Sequence, residues 1–405
     1  MEEEVINKID ELKGEMKDSL MEMLKIPALG PENGGDGEIE KAEFIEEMIE
    51  DFGFDKIERY DAKDDRVPSG IRPNIVATKE GKSDKNLVII AHMDIVPEGD
   101  LDEWETDPFD PVFKNGKIYG RGSEDNGQEL IAGIYLVKAL AETEVTPELN
   151  IKIMMVSDEE TGSEYGVGHI IDEGLIDEDD IVIVPDHSEE EGKKIEIVEK
   201  SGLWVKIAVH GKQGHAAMPG STINANRVMA KYQYLVDERL HEELDQEDEL
   251  FSPPFSTFEP TKRLASVPNV NTIPGKEVQY FDCRVLPSIN LDEVTNIFEE
   301  VKDDLEEETG AEIELEFPKD KEAPKRTPED SEVVVKLKKA VKDVLRVDPE
   351  PVGIGGGTVA ALLRRKDIPA VVWCSNHELA HQPNEFAELD FMVRDCKVYA
   401  KIALD

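Results

Sequence analysis

The stretch Leu87-Val-Ile-Ile-Ala-His-Met-Asp-Ile-Val-Pro97 decides how the chain is read. Its opening apolar run, rich in β-branched residues, has the length and type of a strand buried on both faces of a parallel sheet. Polar groups then appear abruptly at its carboxyl end. His92 and Asp94 are two residues apart, so in extended structure they point the same way, and Asp94 can hold the imidazole through its carboxylate or through the backbone. The carboxyl edge of a parallel sheet is also where open α/β folds gather their ligands. Taken alone, His-x-Asp fits equally a strand that simply turns polar where it meets water.

Working outward, the same arrangement recurs. Asn150-Ile-Lys-Ile-Met-Met-Val-Ser157 reads as a buried strand that runs into Asp158-Glu159-Glu160-Thr161-Gly162, and adjacent carboxylates repel unless a cation or proton intervenes. Ile181-Val-Ile-Val184 ends in Pro185-Asp186-His187. Between them, Gly116 to Gly127 is a glycine-rich turn carrying Asp125, followed by an apolar helix from Gln128 to Ala141. A phosphate loop is excluded there, because no Gly-Lys-Ser/Thr ending follows and a carboxylate stands where an anion would bind. Upstream, the three- and four-residue spacing of Val5, Ile6, Ile9, Leu12, Met16, Leu20, Met23 and Leu24 predicts a helix over 3–25, stopped by Pro27. A second helix is expected at about 38–52, then strands at Lys56–Tyr60 and Asn74–Thr78.

Near Glu199 the pattern changes. Ser201 to His210 alternates, His215-Ala-Ala-Met-Pro leads to a helix at about 222–240, and strands are expected at Asn269–Asn271, Lys276–Val285 and Ala311–Phe317 around an acidic helix 291–309. That succession describes a small two-layer α+β domain, 200–318, inserted in a larger one formed by 1–199 and 319–405. After Pro318 come a helix at 329–346, the glycine-rich Gly353 to Thr358, a helix at 359–365 and a strand at Pro369–Cys374. The loop 375–385, carrying His381, and a last helix at Asp390–Leu404 close the chain. The fold class is therefore α/β, a mostly parallel sheet flanked by helices, with an inserted α+β domain.

The chain's 405 residues carry 92 Asp and Glu against 46 Lys and Arg, a net charge of −46, which argues against nucleic acid or an anionic membrane as partner. The excess is spread over every segment rather than gathered in a tail, the pattern expected of adaptation to concentrated salt. Three scattered cysteines, Cys283, Cys374 and Cys396, point to reduced thiols in a cytoplasmic protein. No signal peptide or membrane span is evident, so the expectation is a soluble, intracellular chain.

His92, Asp125, Glu159, Glu160, Asp186 and His381 thus lie at strand ends and loops, and such carboxylates and imidazoles are the composition of a two-metal hydrolytic site. At this point the sequence resembles the co-catalytic zinc amidohydrolases, the family of aminoacylase, carnosinase, glutamate carboxypeptidase, acetylornithine deacetylase and succinyl-diaminopimelate desuccinylase. The resemblance rests on Ala91-His-Met-Asp-Ile-Val-Pro, Gly120-Arg-Gly-Ser-Glu-Asp-Asn-Gly, Ser157-Asp-Glu-Glu-Thr-Gly, Gly211-Lys-Gln-Gly-His-Ala-Ala-Met-Pro, Asp282-Cys-Arg and Ala380-His-Gln-Pro-Asn-Glu. It covers nearly the whole chain. It implies that Asp125 bridges two divalent ions, zinc first with cobalt or manganese as alternatives, that His92 and Asp186 complete one, and that Glu160 and His381 complete the other. It makes Glu159 the general base and Asp94 the residue that orients His92. His215 becomes an oxyanion donor supplied across a homodimer by the inserted domain. Arg284 is the implied clamp for a substrate carboxylate, with Asn271, Gly356, Gly357 and Thr358 lining the same pocket.

Two features depart from the family's pattern. His187 follows Asp186 and competes with it as ligand, although Asp186 holds the family's position. His377-Glu-Leu-Ala-His381 spells the zincin motif, but that motif needs a helix, and a preceding strand with Pro383 just beyond favours a loop. The expected activity is a dimetal hydrolase that cleaves an amide bond beside a free carboxylate. Its nearest branch is the N-acyl amino acid deacylases of the succinyl-diaminopimelate desuccinylase and acetylornithine deacetylase kind. A dipeptidase or carboxypeptidase is the alternative, and a non-catalytic metal- or peptide-binding relative the remote one, because such a relative should lack Glu159 or a ligand.

Overall fold

The computed structural model describes residues 1–264 and 266–405, which form two compact units. The first comprises Met1–Ile197, Arg326–Val352 and Thr358–Asp405; the second comprises Val198–Lys325 and Gly353–Gly357.

The first unit is built on an eight-stranded sheet whose order is Lys56–Arg59, Ile75–Lys79, Asn150–Val156, Asn86–His92, Ile181–Val184, Ala370–Val372, Lys194–Glu199, Glu350–Ile354. Its four middle strands run parallel. Antiparallel pairings flank them on both sides, so the sheet is mixed rather than parallel throughout. Strand Asn86–His92 lies in the middle, and every residue from Leu87 to Ile95 is buried, which is why its sequence shows no alternation. Val88 and Ile90 pack into one core with Val182, Val184 and the short helices Val167–Asp172 and Ala360–Arg364. Ile89 points the other way, toward the helix Gln128–Glu142. There Gly133 lets helix and sheet approach so closely that an added Cβ would stand 3.3 Å from Ile153 and 3.7 Å from Ile89. The first helix, Glu2–Leu24, buries Val5, Ile9, Leu12, Met16, Leu20, Met23 and Leu24 of the predicted stripe, with Ile6 half-buried at its margin.

In the second unit a four-stranded antiparallel sheet, ordered Thr257–Leu264, Lys276–Val285, Ser201–His210, Glu312–Lys321, carries two helices, Ala225–Glu243 and Leu291–Thr309. Leu203, Val205, Ile207 and Val209 alternate inward with no exposure. Asn290 starts the acidic helix with a capping box closed by Glu293. The strand expected at Asn269–Asn271 lies instead at Thr272–Ile273, paired with Gly214–His215. Asn269 donates its amide to the side chains of Asn271 and Thr272, a local turn interaction that competes with strand pairing.

Candidate metal centre

His92 ends the central strand with its side chain 3% exposed. Its Nδ1 lies 2.9 Å from the carbonyl oxygen of Asp94, so a neutral ring protonated there turns the Nε2 lone pair outward. Nε2 faces Asp125 Oδ1 at 2.8 Å and Asp186 Oδ1 at 3.7 Å. The other oxygen of Asp125 faces His381 Nε2 at 3.4 Å, and His381 Nε2 is 2.8 Å from Glu160 Oε2. Asp125 therefore shows one carboxylate oxygen to each imidazole. Ligand atoms of His92, Asp125 and Glu160 lie within 4.8 Å of one another.

The electrostatics of this cluster call for positive charge. Burial alone would depress His92, but the carboxylates of Asp125, Asp186 and Asp94 outweigh it and hold the imidazole well above its ordinary range. For His381, Asp125 and Glu160 push the value up to about 10. Glu160 is raised by desolvation, which its bond to His381 offsets only in part. Desolvation, reinforced by Asp186, carries Glu159 well above the usual carboxylate range, so this carboxyl readily takes up a proton. Imidazoles and carboxylates gathered this closely, with more carboxylates than imidazoles, form a donor set that suits divalent transition ions.

The surrounding hydrogen bonds explain how the loops hold this shape. Asp94 acts on two partners. Its main-chain carbonyl fixes His92, while its carboxylate accepts the amides of Glu159 at 3.1 Å and Glu160 at 3.0 Å. The contact of Asp94 with His92 thus runs through the backbone, and the carboxylate itself holds the next loop. Asn126 donates to the carbonyl of Pro185 at 2.7 Å and reaches Asp186 at 3.4 Å. His187 forms no hydrogen bond or ion pair among the described residues. His377 is bound on both nitrogens, by Glu190 and Glu388 at 2.8 Å each, in a segment where Glu378 and His381 have positive φ. No helix carries His377 and His381 together, which disposes of the zincin pattern.

Sequence reasoning passed over two buried cations beneath these loops. Lys41 donates to the carbonyl of Met93 at 3.0 Å, and burial lowers its pKa to about 8. Arg72, fully buried, grips Glu38 through Nε at 2.7 Å and stands 3.5 Å from Asp158, the residue preceding Glu159. A lysine inside the apolar stripe of the second helix was the available signal for Lys41.

Elsewhere, the second unit brings His215 and Asn271 together. His215 pairs with Thr272, and the amide of Ala216 donates to the Asn271 carbonyl at 3.0 Å. His215 is exposed, and its Nδ1 accepts the Ala217 amide at 3.1 Å, which leaves Nε2 as a donor. Arg284 is already engaged: Nε and Nη2 hold Asp282 at 2.6 and 3.1 Å, and Nη1 donates to the Gly355 carbonyl at 3.1 Å. Gly356 and Gly357 belong to this unit, whereas Thr358 belongs to the first and caps the Ala360 amide.

Comparison with known proteins gives the family and the fold. Residues 88–405 match the sequence profile described as Peptidase family M20/M25/M40. An uncharacterized metallohydrolase of Methanocaldococcus jannaschii is 39% identical over 94% of this chain and 97% of its own length. The succinyl-diaminopimelate desuccinylase of a Nitratiruptor species is 26% identical over 92% of this chain and 94% of its own. Among solved structures, human carnosine dipeptidase 1 superposes with a TM-score of 0.74 at 16% identity, covering 100% of this chain and 98% of that one, a likeness of fold.

Proposed function

This chain belongs to peptidase family M20/M25/M40, a family of metal-dependent hydrolases, and from that premise we infer that it is a two-metal deacylase acting on N-acyl amino acids. The observation that carries the reading is Asp125 presenting its two oxygens to His92 and His381, with Glu159 beside them. In this reading Asp125 would hold both of two ions, one together with His92 and Asp186 and the other together with Glu160 and His381. The approach of Asp186 Oδ1 to His92 Nε2, 3.7 Å, supports Asp186 rather than His187 as the ligand. Divalent ions there, zinc with cobalt or manganese as substitutes, would supply Lewis acidity to the scissile carbonyl and lower the pKa of the attacking water.

Glu159 takes the proton from that water and delivers it to the nitrogen of the departing amine, a task suited to a carboxyl whose pKa is already raised. Asp94 keeps Glu159 in place by holding its amide. Arg284 binds the substrate's free carboxylate after exchanging Asp282 for it, as a guanidinium fork can, and Asn271, Gly356, Gly357 and Thr358 line that pocket. Nε2 of His215, free to donate, stabilises the developing oxyanion of a partner chain in a cytoplasmic homodimer. The relative named succinyl-diaminopimelate desuccinylase supports the deacylase side of the family.

A panel of N-acyl amino acids and dipeptides, assayed with added zinc, cobalt or manganese, tests this. N-acyl amino acids should be cleaved, and esterifying the free carboxylate should abolish the activity. Cleavage of dipeptides alone would make the protein a peptidase instead. For His215, Glu159→Gln and His215→Ala chains are co-refolded. Mixed dimers should regain activity in one intact composite site, and silence from proven mixed dimers would mean that His215 acts in its own subunit or not at all.

A further inference from the structure

The loops that carry Asp125 and His381 hold each other through two buried glutamates that no ligand role explains. Glu385, four residues beyond His381 and with no exposed surface, reaches into the loop of Asp125. Its Oε1 accepts the amides of Glu124 at 2.9 Å and Asp125 at 3.1 Å, and its Oε2 accepts the amide of Gly122 at 3.0 Å and Arg121 Nη1 at 2.6 Å. Glu124, adjacent to Asp125 and also buried, reaches the opposite way. Its two oxygens accept the amides of His377 at 2.6 Å and Leu379 at 2.5 Å. Each loop thus donates main-chain N–H groups to a carboxylate that belongs to the other.

We propose that Glu124 and Glu385 are positioning residues that form one reciprocal clasp, setting the separation of Asp125 and His381 before any ion arrives. Bonds from N–H groups to an ionised carboxylate are the strong class, and here five amides and one guanidinium are satisfied by two side chains in a region closed to water. The consequence concerns metal affinity. A loop that holds a bridging carboxylate and a loop that holds the imidazole of one ion must otherwise be ordered by the ion itself, at its expense. With the clasp intact, His381 stands 3.4 Å from Asp125 and within hydrogen-bond reach of Glu160 without further rearrangement. The clasp also spans a loop containing three residues of positive φ, Glu378, His381 and Asn384, a backbone that needs its surroundings to hold it.

The inference rests on the two-metal reading above, and the experiment separates the two. The full-length chain is compared with Glu124→Gln, Glu385→Gln and the double variant. Measurements are zinc affinity by chelator competition, the visible spectrum of the cobalt-loaded protein, and amide exchange of the metal-free protein at 121–127 and 376–385. Either single substitution places an NH₂ group against N–H donors. Expected are faster exchange in the loop that loses its acceptor, a roughly 10- to 100-fold weaker zinc affinity, the usual range for outer-shell partners, and an altered cobalt spectrum. Because the two halves act as one device, the double variant should lose less than the product of the two single losses. Glu385→Gln also strands Arg121 and is the variant that can fail to fold. Glu124 meets amides only, so its variant decides the matter. If Glu124→Gln folds with wild-type zinc affinity and an unchanged cobalt spectrum, the clasp has no part in metal binding. A wild-type chain that bound no divalent metal would remove the two-metal reading and this inference with it, whereas normal wild-type binding with indifferent variants would remove the clasp alone.

Discussion

The acids around Asp125 and the acids of the helix Leu291–Thr309 are the same residue types in opposite circumstances. In the first region Glu38, Asp94, Asp158, Glu124 and Glu385 are buried, and each is met by main-chain amides or a guanidinium. In the second, Glu300, Asp303, Asp304, Glu307 and Glu308 stand in water, on the face opposite the buried Val294, Ile297, Phe298, Val301 and Leu305. A buried carboxylate costs several kcal/mol unless it is fully partnered, so every one that survives fixes a neighbour in position. An exposed carboxylate costs almost nothing and, away from the capping Glu293, holds at most a surface side chain. One net charge of −46 therefore conceals two different uses of acidity.

The sharpest way to break this distinction is to make the same change in both regions. Glu159→Gln should keep the protein's metal content and lower turnover by about 10²- to 10⁴-fold, the usual cost of losing a general base. Glu307→Gln should leave turnover unchanged. Steady-state rates at saturating metal, with metal analysis on the same samples, check both. Near-full activity of Glu159→Gln would remove it as the base. Asp125→Ala should differ from Glu159→Gln by failing to hold two ions.

A second contrast is between arginines. Arg72→Met leaves Glu38, Asp64 and Asp158 buried beside an apolar side chain, and unfolding in denaturant should show a loss of about 3–5 kcal/mol. Arg239, paired with Glu243 and Glu300 at the surface, should cost about 1 kcal/mol or less when replaced by Met. Equal losses would mean that burial does not set the value of these pairs.

How far each region can be read from sequence follows the same division. The central strand and the paired strands Ser201–His210 and Lys276–Val285 are legible because burial imposes a continuous or alternating apolar pattern. Thr257–Leu264 is not, since most of its side chains are exposed and Pro260 interrupts it beside a register shift. The side chains that converge on Asp125 were legible because each stands in a motif with a polar residue after an apolar run. Glu124 and Glu385 stand inside those quoted motifs too, yet their partners are main-chain amides more than 250 residues away, and no side-chain pattern records an amide. Arg72 was hidden for a similar reason, because its partners Glu38, Asp64 and Asp158 come from three separate segments.

Titration sharpens the comparison at intermediate scale. Asp64, buried against Arg66 and Arg72, is held down to about 2, first by its hydrogen bond to Arg66. A depressed carboxylate stabilises the fold above its unfolded pKa of about 3.9, and that contribution is lost as pH falls toward 2. The stability difference between wild type and Asp64→Asn should therefore be on the order of 1–2 kcal/mol at pH 6 and shrink between pH 4 and 2. A difference independent of pH would show that the Asp64 charge contributes nothing.

The smallest effect belongs to any single exposed acid. Glu308 lies 2.5–2.6 Å from Lys231, with both side chains about half exposed, and Glu308→Gln should change stability by less than about 1 kcal/mol. At low salt the change can even be stabilising, because one pair is lost while the repulsion from the remaining excess of acids falls. Collectively the exposed acids behave differently from any one of them. The screening length drops from roughly 10 Å at 0.1 M salt to about 3 Å at 1 M, which separates each surface carboxylate from all but its nearest neighbours. The thermal midpoint should therefore rise between low and molar potassium chloride, and the effect of Glu308→Gln should fade over the same range. The buried Arg72–Glu38 pair, out of reach of mobile ions, should keep its full effect throughout. A midpoint that stayed flat or fell with salt would remove halophilic adaptation as the reason for the acidic surface, and would leave the buried acids as the only ones with a physical account.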